Sequence, residues 1–156
     1  MDISKFKPAT WMMVAGGLGM LIFGLFFDWA KIDFMGVSAT DGNAFDWARG
    51  WLSWILVIGT AVIAVLSTTG KLAAVKLPWN IVMVLASALA TLFMVLLMIT
   101  GPDKSGVDLG RAIGLWLSFI ATIVTLAGAL MNFTGSGGDL KDLTDFKKIK
   151  GSFDQE

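Results

Sequence analysis

The sequence predicts an all-α integral membrane protein, a four-helix bundle followed by an amphipathic tail helix. Three observations predict it. Hydrophobic residues make up 56% of the 156-residue chain and charged residues only 15%, against about 25% charged in soluble domains. A core of this size cannot hide so much apolar surface, so its natural solvent is lipid. Four stretches, about 10–28, 51–69, 79–100 and 112–133, have no charge in their interiors and suit a hydrocarbon layer about 30 Å thick. Finally, Trp11, Trp29, Trp51, Trp54, Trp79 and Trp116 fall at or near the ends of these stretches, where amphipathic rings settle at headgroup level.

The polar lead carries Lys5, Lys7 and Pro8, and the first apolar run extends from Trp11 to Phe27. It is longer than the roughly 7–15 apolar residues of a cleaved signal. The small-residue triplet Val37-Ser38-Ala39 lies well beyond it, so the run reads as an uncleaved first helix. Residues 29–50 form the longest connection, with a turn signal at Asp41-Gly42-Asn43. The second span ends at Gly70, a short link from Lys71 to Lys76 follows, and Pro78 opens the third span where a missing N–H does no harm. Between Ile81 and Ile99 stand eleven Ile, Leu, Val or Phe residues and no charge, worth on the order of −3 to −7 kcal/mol of insertion. Gly101-Pro102-Asp103 stops that helix. The fourth span closes a bundle predicted over 1–133, residues 134–138 read as a flexible Gly/Ser linker, and 139–156 form the tail.

The chain contains an internal echo. Asp46 stands three residues before Arg49, followed by Trp51-Leu52-Ser53-Trp54-Ile55; Asp108 stands three before Arg111, followed by Trp116-Leu117-Ser118-Phe119-Ile120. The spacing from Arg to Trp differs by three residues, and the echo allows two parallel two-helix repeats.

Charge near the helix ends sets orientation. Lys5, Lys7, Lys71, Lys76, Lys141, Lys147, Lys148 and Lys150 lie on the side of the termini, against Lys31, Arg49, Lys104 and Arg111 on the other. Eight against four places both termini in the cytoplasm.

Composition excludes much chemistry. There is no Cys and no His, so no disulfide, thiol nucleophile or thiolate metal site can form, and the usual haem ligand is missing. Net charge is zero, with no global pull toward nucleic acid. The span interiors lack ionisable residues, the default mark of proton relays and ion pathways. No catalytic, cofactor or metal site is expected.

Four groups of residues stand out. Asp28, Asp46, Arg49, Asp108 and Arg111 gather at the outer helix ends. They read either as a charged site for an ion, headgroup or partner loop, or as helix-start acids with arginines one turn on and Asp28 paired to one arginine. Phe34, Met35, Phe45 and Trp47 give the outer loop an apolar surface, either a lid on the leaflet or a docking site. Gly110, Gly114, Ser118 and Thr122 place small residues four apart, a helix-packing seam. In the tail, Leu140, Leu143, Phe146, Ile149 and Phe153 recur at helical spacing among lysines. This reads either as a face for membrane or partner or, given Asp139, Asp142 and Asp145, as a solvated and partly disordered tail.

From the first span onward, Phe26-Phe27-Asp28-Trp29, Gly36-Val37-Ser38, Asn43-Ala44-Phe45-Asp46 and Gly50-Trp51-Leu52-Ser53-Trp54 give a pattern that resembles small four-helix membrane proteins of Actinobacteria. The resemblance covers mainly residues 11–69. It implies four spans in a bacterial inner membrane and carries over no catalytic residue. The expected function is a non-catalytic accessory or scaffold subunit of a larger membrane assembly, one handling lipid or cell-envelope components for example. The alternative is a small lipid- or hydrophobe-binding transporter or holin-like pore, acting as a homo-oligomer. The expected partners are the lipid bilayer and either another membrane protein or further copies of this chain.

Overall fold

The computed structural model describes residues 6–72, 74–75, 77–104, 107–145 and 149–151. Four helices form the bundle: α1 Pro8–Phe26, α2 Ala48–Thr68, α3 Trp79–Thr100 and α4 Ile113–Gly135. They run 19, 21, 22 and 23 residues, or about 28–35 Å at 1.5 Å per residue, and are long and apolar enough to cross a membrane. This is the architecture of a multi-pass membrane protein. α1 packs on α4 and α2, and α3 packs on α2 and α4, so the helices close a ring.

The interior mixes methionines such as Met13, Met20, Met83 and Met94 with small residues and hydroxyls, and the exterior is largely aliphatic. Ser53, Thr60, Ser87, Ser118, Thr122 and Thr125 are buried, while Leu18, Ile55, Leu92 and Ile120 face outward. In lipid no hydrophobic effect draws helices together, so close approach and hydrogen bonds must do so. Gly16 meets Thr125 so closely that a Cβ there would overlap its Oγ1, and a Cβ on Gly128 would sit 2.8 Å from the Ala9 carbonyl. Ser53 Oγ donates to the Ala90 carbonyl across α2 and α3 at 3.0 Å. Most other buried hydroxyls bond carbonyls of their own helix, as Ser87 does to Met83 and Thr125 to Ala121.

Two helix ends close with the same device. At α2, Lys71 N donates to Leu66 O and Gly70 N to Ser67 O, with Gly70 at φ 74. At α4, Gly138 N donates to Phe133 O and Gly137 N to Thr134 O, with Gly137 at φ 90. Both are Schellman closures, which need a left-handed residue where glycine stands. Segment 134–138, read as a flexible linker, is therefore the end of a helix.

Beyond it Leu140–Thr144 forms a 3-10 turn. Leu143 packs against the lower core beside Phe133 and Met83, Leu140 is exposed, and Ile149 begins a helical turn. Phe146 and Phe153 lie outside the described residues.

The opposite end carries a small sheet that the sequence reading had as an irregular loop. β1 Ala30–Phe34 and β2 Val37–Asp41 form an antiparallel hairpin, and a 3-10 turn, Ala44–Asp46, leads into α2. The hairpin turns at Met35-Gly36, and the turn signal at Asp41-Gly42-Asn43 falls where the chain leaves β2 for the 3-10 turn, with Gly42 at φ 80°. Met35 and Gly36 both have positive φ, 48° and 81°, as a type I′ turn requires. Between α3 and α4, β3 Asp103–Lys104 pairs with β4 Val107–Asp108, and β5 Gly110–Arg111 joins the free edge of β1. Each half of the chain thus reads helix, hairpin, helix. The echoed motifs differ in structure, since Asp46 and Arg49 lie on helical turns whereas Asp108 and Arg111 lie on strands.

Candidate functional site: the hairpin cap

Register decides which residues share a face of the hairpin. Phe34 opposes Val37, Ile32 opposes Ala39 and Ala30 opposes Asp41; Asp33 opposes Ser38 and Lys31 opposes Thr40. Because strand side chains alternate, one face is almost wholly apolar and the other polar. The polar face satisfies itself. Lys31 Nζ lies 3.1 Å from Asp33 Oδ2, Ser38 Oγ donates to Asp33, and Thr40 Oγ1 donates to Asp28 at 2.5 Å. The Ser38 hydroxyl, and after it Lys31, hold the Asp33 carboxyl below its ordinary value of 3.8.

The apolar face stays open. Ile32 is 49%, Phe34 69% and Val37 71% exposed, and Met35 at the tip is 90% exposed. At its base the face runs into a cavity of about 270 Å³ lined by Ala30, Ile32, Ala39, Asp41, Trp47 and Leu109.

Trp29 and Trp47 make the floor rigid. Trp29 is fully buried and Trp47 nearly so, and their rings stack 6.3 Å apart with planes 2° from parallel. Trp29 Nε1 donates to Phe23 O at the end of α1, and Trp47 Nε1 donates to Asp103 O on β3. The Trp29 main chain also bonds Gly42 and Ala112. Two expectations change here. Trp29 is a core residue, not a headgroup anchor, although Trp11 and Trp116 do face outward. Trp47 leaves the apolar loop surface because its ring is itself buried in the core beside Trp29, while Phe34, Met35 and Phe45 remain exposed.

The arginines converge on one helix end. Arg111 Nε donates to Met98 O at 2.6 Å and Nη2 to Ile99 O at 3.0 Å, while Arg49 Nη1 donates to Thr100 Oγ1 at 3.0 Å. All three acceptors lie in the last turn of α3, where orphan carbonyls and the helix dipole favour cations. Asp28 has Thr40 as its partner where the sequence pointed to an arginine. Asp46 Oδ2 accepts the Asn43 N–H and Asn43 Oδ1 accepts that of Phe45, a capping box one element earlier than the helix start expected for Asp46. The side chain of Asp108 lies outside the described residues.

No family model, curated protein or solved structure matches the chain. The site is therefore read from its own chemistry. Among the described residues no group of His, Cys, Asp or Glu could hold a metal.

In the predicted seam, Gly114, Ser118 and Thr122 lie buried on α4. Gly114 sits against the Asp28 carbonyl, which a Cβ would meet at 2.6 Å. Gly110 is on β5, where a Cβ would stand 3.1 Å from the Lys31 carbonyl; it serves a strand contact and not a helix one. Sequence reasoning missed the amphipathic hairpin itself, although Lys31-Ile32-Asp33-Phe34 carries the period-2 alternation that announces a strand.

Proposed function

We propose that this chain is a non-catalytic accessory or scaffold subunit of a bacterial membrane assembly, engaging its partner through the apolar face of the hairpin. The observation that carries the reading is the open row Ile32, Phe34, Val37 with Met35 at its tip. An exposed apolar patch rimmed by polar residues marks an interaction surface, and here it rests on a floor held by two stacked tryptophans. Strand β2 is also a sheet edge, able to accept a partner strand. The proposed setting is the inner membrane, termini in the cytoplasm and cap outside, on the lysine and arginine count.

The test is native mass spectrometry of the tagged protein extracted gently from its own membrane. Defined partner subunits should co-purify and should be lost from a Phe34→Ser, Met35→Asn variant. Asn tolerates the left-handed turn position, so the hairpin survives while its apolar tip goes. Retention of every subunit by that variant would remove the docking reading. For orientation, a cysteine placed at Ala39 should label from outside intact cells and one at Ala73 should not.

A second reading, a small hydrophobe-binding transporter acting as a homo-oligomer, draws on the cavity under Ile32 and Trp47. Flux in liposomes containing this protein alone would favour it.

A further inference from the structure

The far end of the bundle holds a second cavity, remote from the cap. A cavity of about 340 Å³ opens there among all four helices, lined by Lys7 and Thr10 of the α1 start, Ser67 and Thr68 of α2, Asn80 of α3 and Asn132 of α4. Its walls are hydrogen-bonded into place. Asn132 Nδ2 donates to Asn80 Oδ1 at 2.8 Å and Asn80 Nδ2 to Ser136 Oγ at 3.0 Å, and the hydroxyls of Thr10 and Thr68 lie 3.4 Å apart. Ser67 Oγ is buried and has no partner among the described residues, and a buried hydroxyl without a partner is costly. Among the described residues no acidic side chain lines the cavity, and Lys7 supplies a cation. Two helices start and two end around it, so their dipoles offset and Lys7 sets the sign.

A separate apolar groove of about 270 Å³ runs up the outside of the α1–α2 pair, lined by Val14, Leu18, Leu21, Ile58, Val62 and Leu66 among others. Val14 follows Thr10 by one turn and Leu66 adjoins Ser67, so the groove starts about one helical turn from the cavity on the same two helices. From Thr10 to Leu21 is about 16 Å of helix, close to half of a roughly 30 Å hydrocarbon layer. Gly17 against Ala61 draws the helices together at its floor.

We propose that cavity and groove form one site for an anionic phospholipid, its phosphate between Lys7, Ser67 and Asn132 and one acyl chain in the groove. A donor set with one cation and no carboxylate suits a phosphate diester. A headgroup bearing its own ammonium would find no acid among the described lining residues to pair with.

The test is native mass spectrometry of the full chain released from phosphatidylcholine nanodiscs doped with phosphatidylglycerol. One phosphatidylglycerol should be retained in preference to phosphatidylcholine. Lys7→Ala and Ser67→Val should each lower that retention about tenfold, the loss of a charge-assisted bond or of the cavity itself. Val62→Trp, at a position 50% exposed, should block the groove and lower it too, whereas Ile123→Trp on the outward side of α4, 44% exposed, should not. Lys7 and Val62 are at the surface, so their variants carry the test if Ser67→Val fails to fold. Equal retention of the two lipids, unchanged retention in Lys7→Ala or Val62→Trp, or displacement by millimolar inorganic phosphate alone would overturn the proposal.

Discussion

Trp29 and Trp47 lie face to face, ring planes 2° apart, each indole N–H bonded to the backbone of a different element. Trp29 thereby ties the end of α1 to the sheet, and Trp47 ties the start of α2 to the α3–α4 connection. Trp29→Ala should cost about 3–5 kcal/mol, read as a fall in thermal midpoint in detergent. A double-mutant cycle with Trp47→Ala should show a coupling of about 0.5–1.5 kcal/mol beyond burial. Additivity of the two losses would mean that the stack contributes nothing of its own.

Arg111 and Arg49 should differ in weight. Arg111 bonds two carbonyls at the α3 end, and Arg49 bonds one hydroxyl. Arg111→Ala should destabilise by about 1–3 kcal/mol, Arg49→Ala by less, with amide exchange accelerating around Arg111 and β5. Equal effects would count against the carbonyl-capping account.

Glycine substitutions should sort by place. Gly128→Ala presses a methyl to 2.8 Å from the Ala9 carbonyl and should cost about 1–3 kcal/mol by forcing α1 from α4. Gly59 has nothing within 4 Å of a built Cβ, so Gly59→Ala should be neutral or stabilise by up to about 1 kcal/mol. Thermal unfolding of the two variants side by side decides it.

The polar face of the hairpin predicts an acid sensitivity. Asp33 has its pKa lowered in the folded hairpin by Ser38 and then Lys31. A depressed carboxyl stabilises the fold above its unfolded value and loses that contribution as pH falls through the lower, folded one. The hairpin amides should therefore keep their protection above pH 3.8 and lose part of it below. In Ser38→Ala the Asp33 titration, followed by carboxyl NMR, should move up toward 3.8. An unmoved titration would show that the hydroxyl is not the cause.

The four spans were legible because each is long, uncharged and punctuated. Pro8 and Trp79 stand at observed helix starts, and Gly70 and Gly137 at observed closures. The cap was less legible for physical reasons. A Trp beside an apolar run satisfies a membrane-interface rule and a core rule equally, and only the fold of residues 30–41 over Trp29 decides between them. The hairpin's turn is Met-Gly, which lacks the Asn-Gly signal, and a five-residue alternation is short. Gly110 fits the i, i+4 pattern of the helix that follows, yet a strand contact with Lys31 holds it. The cavity at the other end draws together Lys7, just before α1, Ser67 of α2, Asn80 of α3 and Asn132 of α4, and no linear spacing in the chain brings those together.

The seating of β5 against β1 has a consequence for how the molecule is made. The inner edge of β1 finds its partner only at Gly110 and Arg111, some 80 residues downstream. During synthesis the first two spans can enter the bilayer while the hairpin between them still has that edge open. The cap is latched only when the second pair of spans has arrived. A chain cut in the Lys71–Pro78 link should therefore yield a first half with an unprotected strand, and the two fragments should regain the cap only together.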